Sequence, residues 1–162
     1  MKTNAYIKNK TNFNLAGIIP IAGQPLDYNF PWHDSLAPIG QNYLAAEKAV
    51  FDCAVAGCDT IWLVCPKVPK KTEIPIYYCP IEPKDIDRRD CLAWSIITGA
   101  QYAYRLARKI SRWAAPDRYF VSFPYGMYSP YYMSGVRSKI RSNEPFYVSY
   151  ENEFFKTGLY LP

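Results

Sequence analysis

The chain alternates short, nearly continuous apolar runs with longer segments whose apolar residues recur every three or four positions. Leu15-Ala-Gly-Ile-Ile-Pro-Ile21 is apolar throughout, the pattern of a strand covered on both faces, as parallel sheets require. Tyr43 to Ala56 carries an apolar stripe at Tyr43, Ala46, Val50 and Ala54, widened by Leu44, Phe51 and Val55, and predicts an amphipathic helix. Gly40-Gln41-Asn42 is its expected N-terminal cap, and Gly57 stands where a glycine just past the C-terminus belongs. Thr60-Ile-Trp-Leu-Val-Cys65 reads as a second buried strand, stopped by Pro66. Strand, loop, helix and strand in this order predict a βαβ unit with parallel strands and a right-handed crossover.

Between the first strand and the helix, Ala22 to Ile39 forms a long loop with Gly23, Pro25, Pro31 and Pro38. A loop of that length inside a compact domain is usually functional or an insertion. Pro66 to Pro83 is extended, with a short strand expected at Ile76 to Cys79, and Asp85 to Asp90 is a charged turn. A long helix is expected from Cys91 to Trp113. Its apolar positions Leu92, Ile96, Gly99, Ala103, Leu106, Ile110 and Trp113 fall alternately four and three apart. Pro116 ends it, Tyr119 to Phe123 is a third strand, Ser134 to Arg141 a short helix and Phe146 to Tyr150 a further strand. With no internal repeat or linker, residues 1–162 read as one three-layer α/β domain. Residues 1–14 read as either a tail or a strand-edge extension, and 124–162 as the Tyr- and Pro-rich C-terminal part.

Composition narrows the function. At 162 residues, 49% hydrophobic and 20% charged, the chain has room for one core and is too apolar to remain disordered. No apolar run approaches the ~20 residues that span a bilayer. Met1 to Asn14 has three lysines but no apolar centre, so it does not read as a secretory signal and a cytoplasmic location is expected. The five cysteines form no C-x-x-C unit and His33 is the single histidine. No metal site is therefore expected, and the cysteines read as reduced and mostly buried. No G-x-S-x-G elbow supports a triad through His33.

Two clusters carry candidate chemistry. Asp27, His33 and Asp34 share the long loop with Tyr28 and Trp32, at the end of the first strand where α/β sheets bind ligands. They are either weak catalytic candidates in a small polar site or surface residues that cap turns. The second cluster follows from charge. The net charge is +5, yet Arg105 to Arg141 holds eight Lys/Arg against the single acid Asp117. Arg105, Arg108, Lys109 and Arg112 lie opposite the long helix's apolar face, and Arg118, Arg137, Lys139 and Arg141 follow. Tyr125, Tyr128, Tyr131 and Tyr132, among 15 tyrosines and 14 prolines in all, sit beside them. The row is either the solvated side of a helix or an interaction surface. As a surface it suits a protein partner or self-association first, and nucleic acid second.

Leu15-Ala-Gly-Ile-Ile-Pro-Ile-Ala-Gly23, Leu36-Ala-Pro-Ile-Gly40 and Ala56-Gly-Cys-Asp-Thr-Ile-Trp-Leu-Val64 together resemble the N-terminal half of sugar-nucleotide pyrophosphorylases. Thr98-Gly-Ala100 and Tyr119 to Phe123 extend the likeness to a later helix and a third strand. The resemblance implies a Rossmann-like, GT-A-like nucleotidyltransferase fold with a mostly parallel sheet. It also implies nucleotide contact at Ala22, Gly23 and Gln24. The departures bear on activity. Where the active family has a glycine-rich loop with an arginine, this chain has Ala22-Gly-Gln-Pro-Leu-Asp27. Asp34 stands at the family's lysine position, and Phe123-Pro-Tyr-Gly126 where a metal-binding aspartate is expected. No Lys or Arg occurs from Leu15 to Ala46, so a triphosphate would meet Asp27 and Asp34 uncompensated. The resemblance so modified implies a nucleotidyltransferase-like pseudoenzyme that binds a nucleotide or sugar phosphate or acts as a scaffold. The alternative is a non-enzymatic interaction protein using its Tyr-rich basic face. A weakly active transferase is the third reading, and Mg²⁺ enters only if that activity survives. Degenerate, short relatives of this domain occur among bacteriophage proteins as well as in cells, and a phage origin would make the protein a phage component associated with the virion.

Overall fold

Every residue of Leu15–Pro20 (β1) is buried, because the strand is paired along both edges and covered on both faces. The computed structural model describes residues 13–22, 34–64, 74–81, 84, 91–110, 115–124, 126, 130–141, 144–147 and 158–161. After β1 come a 3-10 turn (Asp34–Leu36), β2 (Pro38–Gly40), β3 (Tyr43–Leu44), α1 (Ala45–Ala56), β4 (Thr60–Val64) and β5 (Ile76–Tyr78). These are followed by α2 (Leu92–Ile110), β6 (Arg118–Ser122), α3 (Pro130–Ile140), β7 (Phe146–Tyr147) and β8 (Gly158–Leu161). Six strands form one sheet in the order β5-β4-β1-β6-β8-β7, and β2 and β3 form a separate hairpin. β5, β4, β1 and β6 are parallel, with Ile18 paired to Trp62 on one side and Val121 on the other. β8 runs antiparallel to β6, and β7 antiparallel to β8. The fold is α/β, and β1, α1 and β4 form the expected parallel unit.

The pleat divides the core. Leu15, Ile19, Ile61, Leu63 and Phe120 pack with Ala46, Ala49 and Cys53 of α1 and with Val136 and Ile140 of α3. Ala16, Ile18, Trp62, Val64 and Val121 pack with Ala103 of α2, flanked by Leu92, Ile96 and Leu106. Since successive strand residues point to opposite faces, α1 and α3 cover one face and α2 the other. Both helices approach β1 closely. A Cβ on Gly17 would lie 2.8 Å from Cys53 Sγ, and one on Gly99 would lie 2.8 Å from Ile18 Cγ2 and 3.0 Å from Val64 Cγ2. The innermost line of α2 is accordingly the small, buried residues Ser95, Gly99, Ala103 and Ala107, with the leucines and isoleucine at its flanks.

Several boundaries differ from those predicted. α1 begins two residues late, because Tyr43-Leu44 pairs with Pro38–Gly40 and Asn42 takes a left-handed turn at φ 54°. The cap therefore comes from within the helix. Glu47 Oε2 accepts the Leu44 N–H at 2.9 Å, half of a capping box. The helix's inward line also differs: it runs through Ala46, Ala49, Cys53 and Ala56, and Phe51 is exposed. α3 starts at Pro130, a residue suited to the first helical position, rather than at Ser134. β8 was not anticipated. Residues 1–12, the charged turn at 85–90 and the end of the long helix at 111–114 lie outside the described residues.

Two aspartates fasten the start of β1. Asp59, before β4, accepts the Leu15 N–H at 2.9 Å and returns its own N–H to Leu15 O at 2.8 Å. Asp117, before β6, does the same with Asn14, at 2.9 Å each way. Arg118 also has a structural task. Its guanidinium lies 3.8 Å from the Phe13 ring centroid and donates to Ile140 O at 3.3 Å, supplying a donor to the C-terminus of α3. No helix among the described residues is long and apolar enough to cross a membrane.

Candidate functional site

The order of strands identifies where the sheet can open. From β1 the chain moves to β4 and β5 on one side, then crosses to β6 on the other. The crossovers diverge between β1 and β6, and ligands of open α/β sheets bind outside the carboxyl ends of strands at such a reversal. The opposite edge is closed by the Asp59 and Asp117 latches.

At the carboxyl edge, β1 continues into buried Ile21, whose N–H donates to Val64 O at 3.2 Å, and half-buried Ala22. β6 leaves through Ser122, Phe123 and Pro124, all buried, to buried Gly126. Ser122 shares the face of Phe120, toward α1, whereas Phe123 packs in the α2 layer. Ser122 Oγ is fully buried and has no hydrogen-bond partner among the described residues. A hydroxyl so placed is costly unless something bonds it.

α1 delivers its N-terminus to this same edge. Its C-terminus runs through Gly57 and Asp59 into the start of β4, beside Leu15, so its first turn lies at the strands' carboxyl ends. The 3-10 turn that holds buried Ser35 packs against it. In phosphate-binding α/β proteins a helix N-terminus supplies unpaired N–H groups and a positive field. Here buried Glu47 already places a carboxylate there. The nearest cation on the helix, Lys48, is committed to Asp52 one turn later. Among the described residues the edge thus offers a hydroxyl and a carboxylate, and the carboxylate's charge opposes an incoming anion.

On the same helix Asp52 is a buried carboxylate. It is 0% exposed, its Oδ1 meets Lys48 Nζ, and Oδ2 has no partner among the described residues. Burial raises its carboxyl from 3.8 to about 6, against the opposing pull of Lys48.

The residues predicted from sequence fare unequally. Ala22 lies at the crossover edge, while Gly23, Gln24, Asp27 and His33 lie outside the described residues. Asp34 opens the 3-10 turn against α1. Among the described residues no three of His, Cys, Asp and Glu converge as a metal cage. On the basic face, Arg105, Arg108 and Lys109 are exposed on α2. Arg108 is held in place: it donates to Tyr104 Oη at 2.8 Å and lies 5.6 Å from that ring's centroid. Arg118 leaves this surface for the contacts described above. Tyr131 and Tyr132 fall in the first turns of α3, and Arg112, Tyr125 and Tyr128 lie outside the described residues.

Sequence reasoning missed four residues. Ser122 and Glu47 carry no local motif beyond Glu47's place three residues after a helix start. Ile97 and Tyr104 are 45% and 43% exposed on the outer side of α2. Their signal was available, since Tyr104 stands four residues before Arg108 and seven after Ile97, one helical stripe. Comparison with protein-family models, with curated proteins and with solved structures finds no match to this chain.

Proposed function

We propose that this chain is a GT-A-like, nucleotidyltransferase-like domain that keeps a ligand site at the β1/β6 crossover edge but lacks the groups that turn over a triphosphate. The observation that carries this reading is the strand-order reversal at that edge, with Ser122 Oγ buried there and without a hydrogen-bond partner among the described residues. The sheet supports the GT-A-like assignment over a plain dinucleotide-binding one. In the latter, strands beyond the fourth continue the doubly wound order, whereas here antiparallel β8 follows β6. The absence of turnover follows from charge. Glu47 occupies the α1 N-terminus, Lys48 is paired, and Ser122-Phe123-Pro124 supplies no carboxylate for Mg²⁺. The transition-state charge would go unstabilised.

Thermal unfolding with nucleoside triphosphates, sugar phosphates and Mg²⁺ tests the site. A ligand at a hundred times its Kd should add about 2.7 kcal/mol to the native state. Pyrophosphate release from a triphosphate and a sugar 1-phosphate should remain at background. No shift with any ligand would remove the binding site from the proposal, and robust Mg²⁺-dependent release would remove the loss of activity.

A second reading rests on the outer stripe of α2, where Ile97 and Tyr104 are exposed beside Arg105, Arg108 and Lys109. Aromatic and arginine side chains in such a patch suit a protein partner or self-association. Ile97→Ser with Tyr104→Ser should then lower the mass in solution or abolish capture of the partner, with unchanged circular dichroism. A steep salt dependence of nucleic-acid binding, flattened by Arg108→Ala with Arg112→Ala, would instead mark a phosphate-contacting face.

A further inference from the structure

α1 ends in a Schellman turn. Gly57, at φ 93°, donates its N–H to Ala54 O at 3.1 Å, and Cys58 donates to Cys53 O at 3.0 Å. The second bond joins the backbones of two cysteines. Tracing from Cys53 Cα through its carbonyl, across that bond and on to Cys58 Cα limits the Cα separation to about 7 Å, the outer reach of a disulfide. The side chains converge as well. Cys53 Sγ and Cys58 Sγ lie 2.8 and 3.1 Å from the single point where a Gly17 Cβ would sit. Both are buried and reduced, Cys79 packs in the α2 layer, and Cys91 is exposed. The pair is thus a matched dithiol at the joint between α1 and β4.

We propose that Cys53 and Cys58 form an oxidisable site, at which a peroxide closes an intrachain disulfide across the end of α1. One sulfur, as its thiolate, attacks the O–O bond of hydrogen peroxide and becomes a sulfenic acid. The departing hydroxide takes up the released proton as water. The second sulfur then displaces the sulfenic hydroxyl, which leaves with the second thiol's proton as another water. Two thiols and one peroxide give one disulfide and two waters, sulfur being oxidised and peroxide oxygen reduced. Desolvation and the Cys58 thiol hold Cys53 well above the usual cysteine range. Cys53 therefore rests as a thiol, and oxidation is gated by opening of the last turn of α1 and slower than at exposed Cys91.

The test treats the folded full chain with excess hydrogen peroxide. Free thiols are blocked with N-ethylmaleimide in denaturant, and unreduced peptides are sequenced by mass spectrometry. The expected product lacks two hydrogens, carries no maleimide at Cys53 or Cys58, and regains both sites after dithiothreitol. Cys58→Ser should abolish it and leave Cys53 alkylated. Maleimide on both residues after an exposure many times longer than full oxidation of Cys91 takes, with the fold retained, would overturn the proposal. So would fragment ions that link either residue to Cys65, Cys79 or Cys91. A linkage that appears only after the far-ultraviolet circular dichroism is lost would overturn it too, since the folded joint would not be what brings the sulfurs together.

Discussion

Asp52→Asn should flatten the fall in stability that the wild type shows between pH 3.8 and about 6. The wild-type carboxylate is buried, one oxygen meets Lys48, and the other has no partner among the described residues. Its carboxyl is raised by burial from 3.8 to about 6. The native chain therefore holds a proton at Asp52 between these values while the unfolded chain has lost it. Stability is then fully present below the unfolded value, falls as pH rises through the window from 3.8 to about 6, and stays low above it. The difference across the window is about 3 kcal/mol, whereas the Lys48 charge left unpaired in the variant lowers its stability throughout. Urea unfolding of both proteins across the window isolates the contribution, because every other titrating group is shared. A variant whose pH profile runs parallel to that of wild type would show that Asp52 ionises there at no cost.

Gly17→Ala should destabilise by about 2 kcal/mol, although alanine is no larger than most strand residues. Its Cβ would fall 2.8 Å from Cys53 Sγ, 3.0 Å from Cys53 Cβ and 3.1 Å from Cys58 Sγ. None of these atoms can retreat freely, since Cys53 sits on α1 with the sheet beneath it. Cys53→Ala alone should cost about 1 kcal/mol for a small void. Combined with Gly17→Ala it should return at least half of the loss, because the added methyl occupies the space the sulfur vacates. Denaturant unfolding of the four proteins gives the coupling. Strict additivity would mean that α1 moves away as a whole, and that the close approach at Gly17 contributes nothing.

What could be read from the sequence was what repeats locally. β1 and β4 are apolar at nearly every position, and α2 keeps one face through nineteen residues, so pattern alone marks them. Gly57 too was legible, but not the approach of Cys58 to Cys53, because a glycine past a helix fits several turns and only the bond from Cys58 N–H to Cys53 O selects this one. Other features depend on neighbours distant in sequence. Gly40-Gln41-Asn42 suits a helix cap and a hairpin turn equally, and pairing of Tyr43-Leu44 with Pro38–Gly40 decided it. β8 is four residues without a distinctive pattern, given meaning by pairing with β6. Lys48 and Asp52 are spaced as an ordinary exposed ion pair on a helix. Their burial arises because α1 is enclosed by the sheet, α3 and the 3-10 turn. Ser122 likewise becomes notable only when β6 is placed beside β1, since a serine at a strand end has no signature of its own.

The Asp59 and Asp117 latches also set a timetable. β1 meets the first of them 44 residues along the chain from Leu15 and the second 103 residues from Asn14. At about 5–20 residues per second of synthesis, β1 waits on the order of ten seconds for the strand that closes its second side. Through that interval a strand without one charged residue presents an unpaired edge, the kind of template on which chains associate. Folding of the sheet's centre is thus limited by long-range closure rather than by any helix. A nascent chain held apart from its neighbours until residue 122 has emerged would gain yield, whatever its final stability.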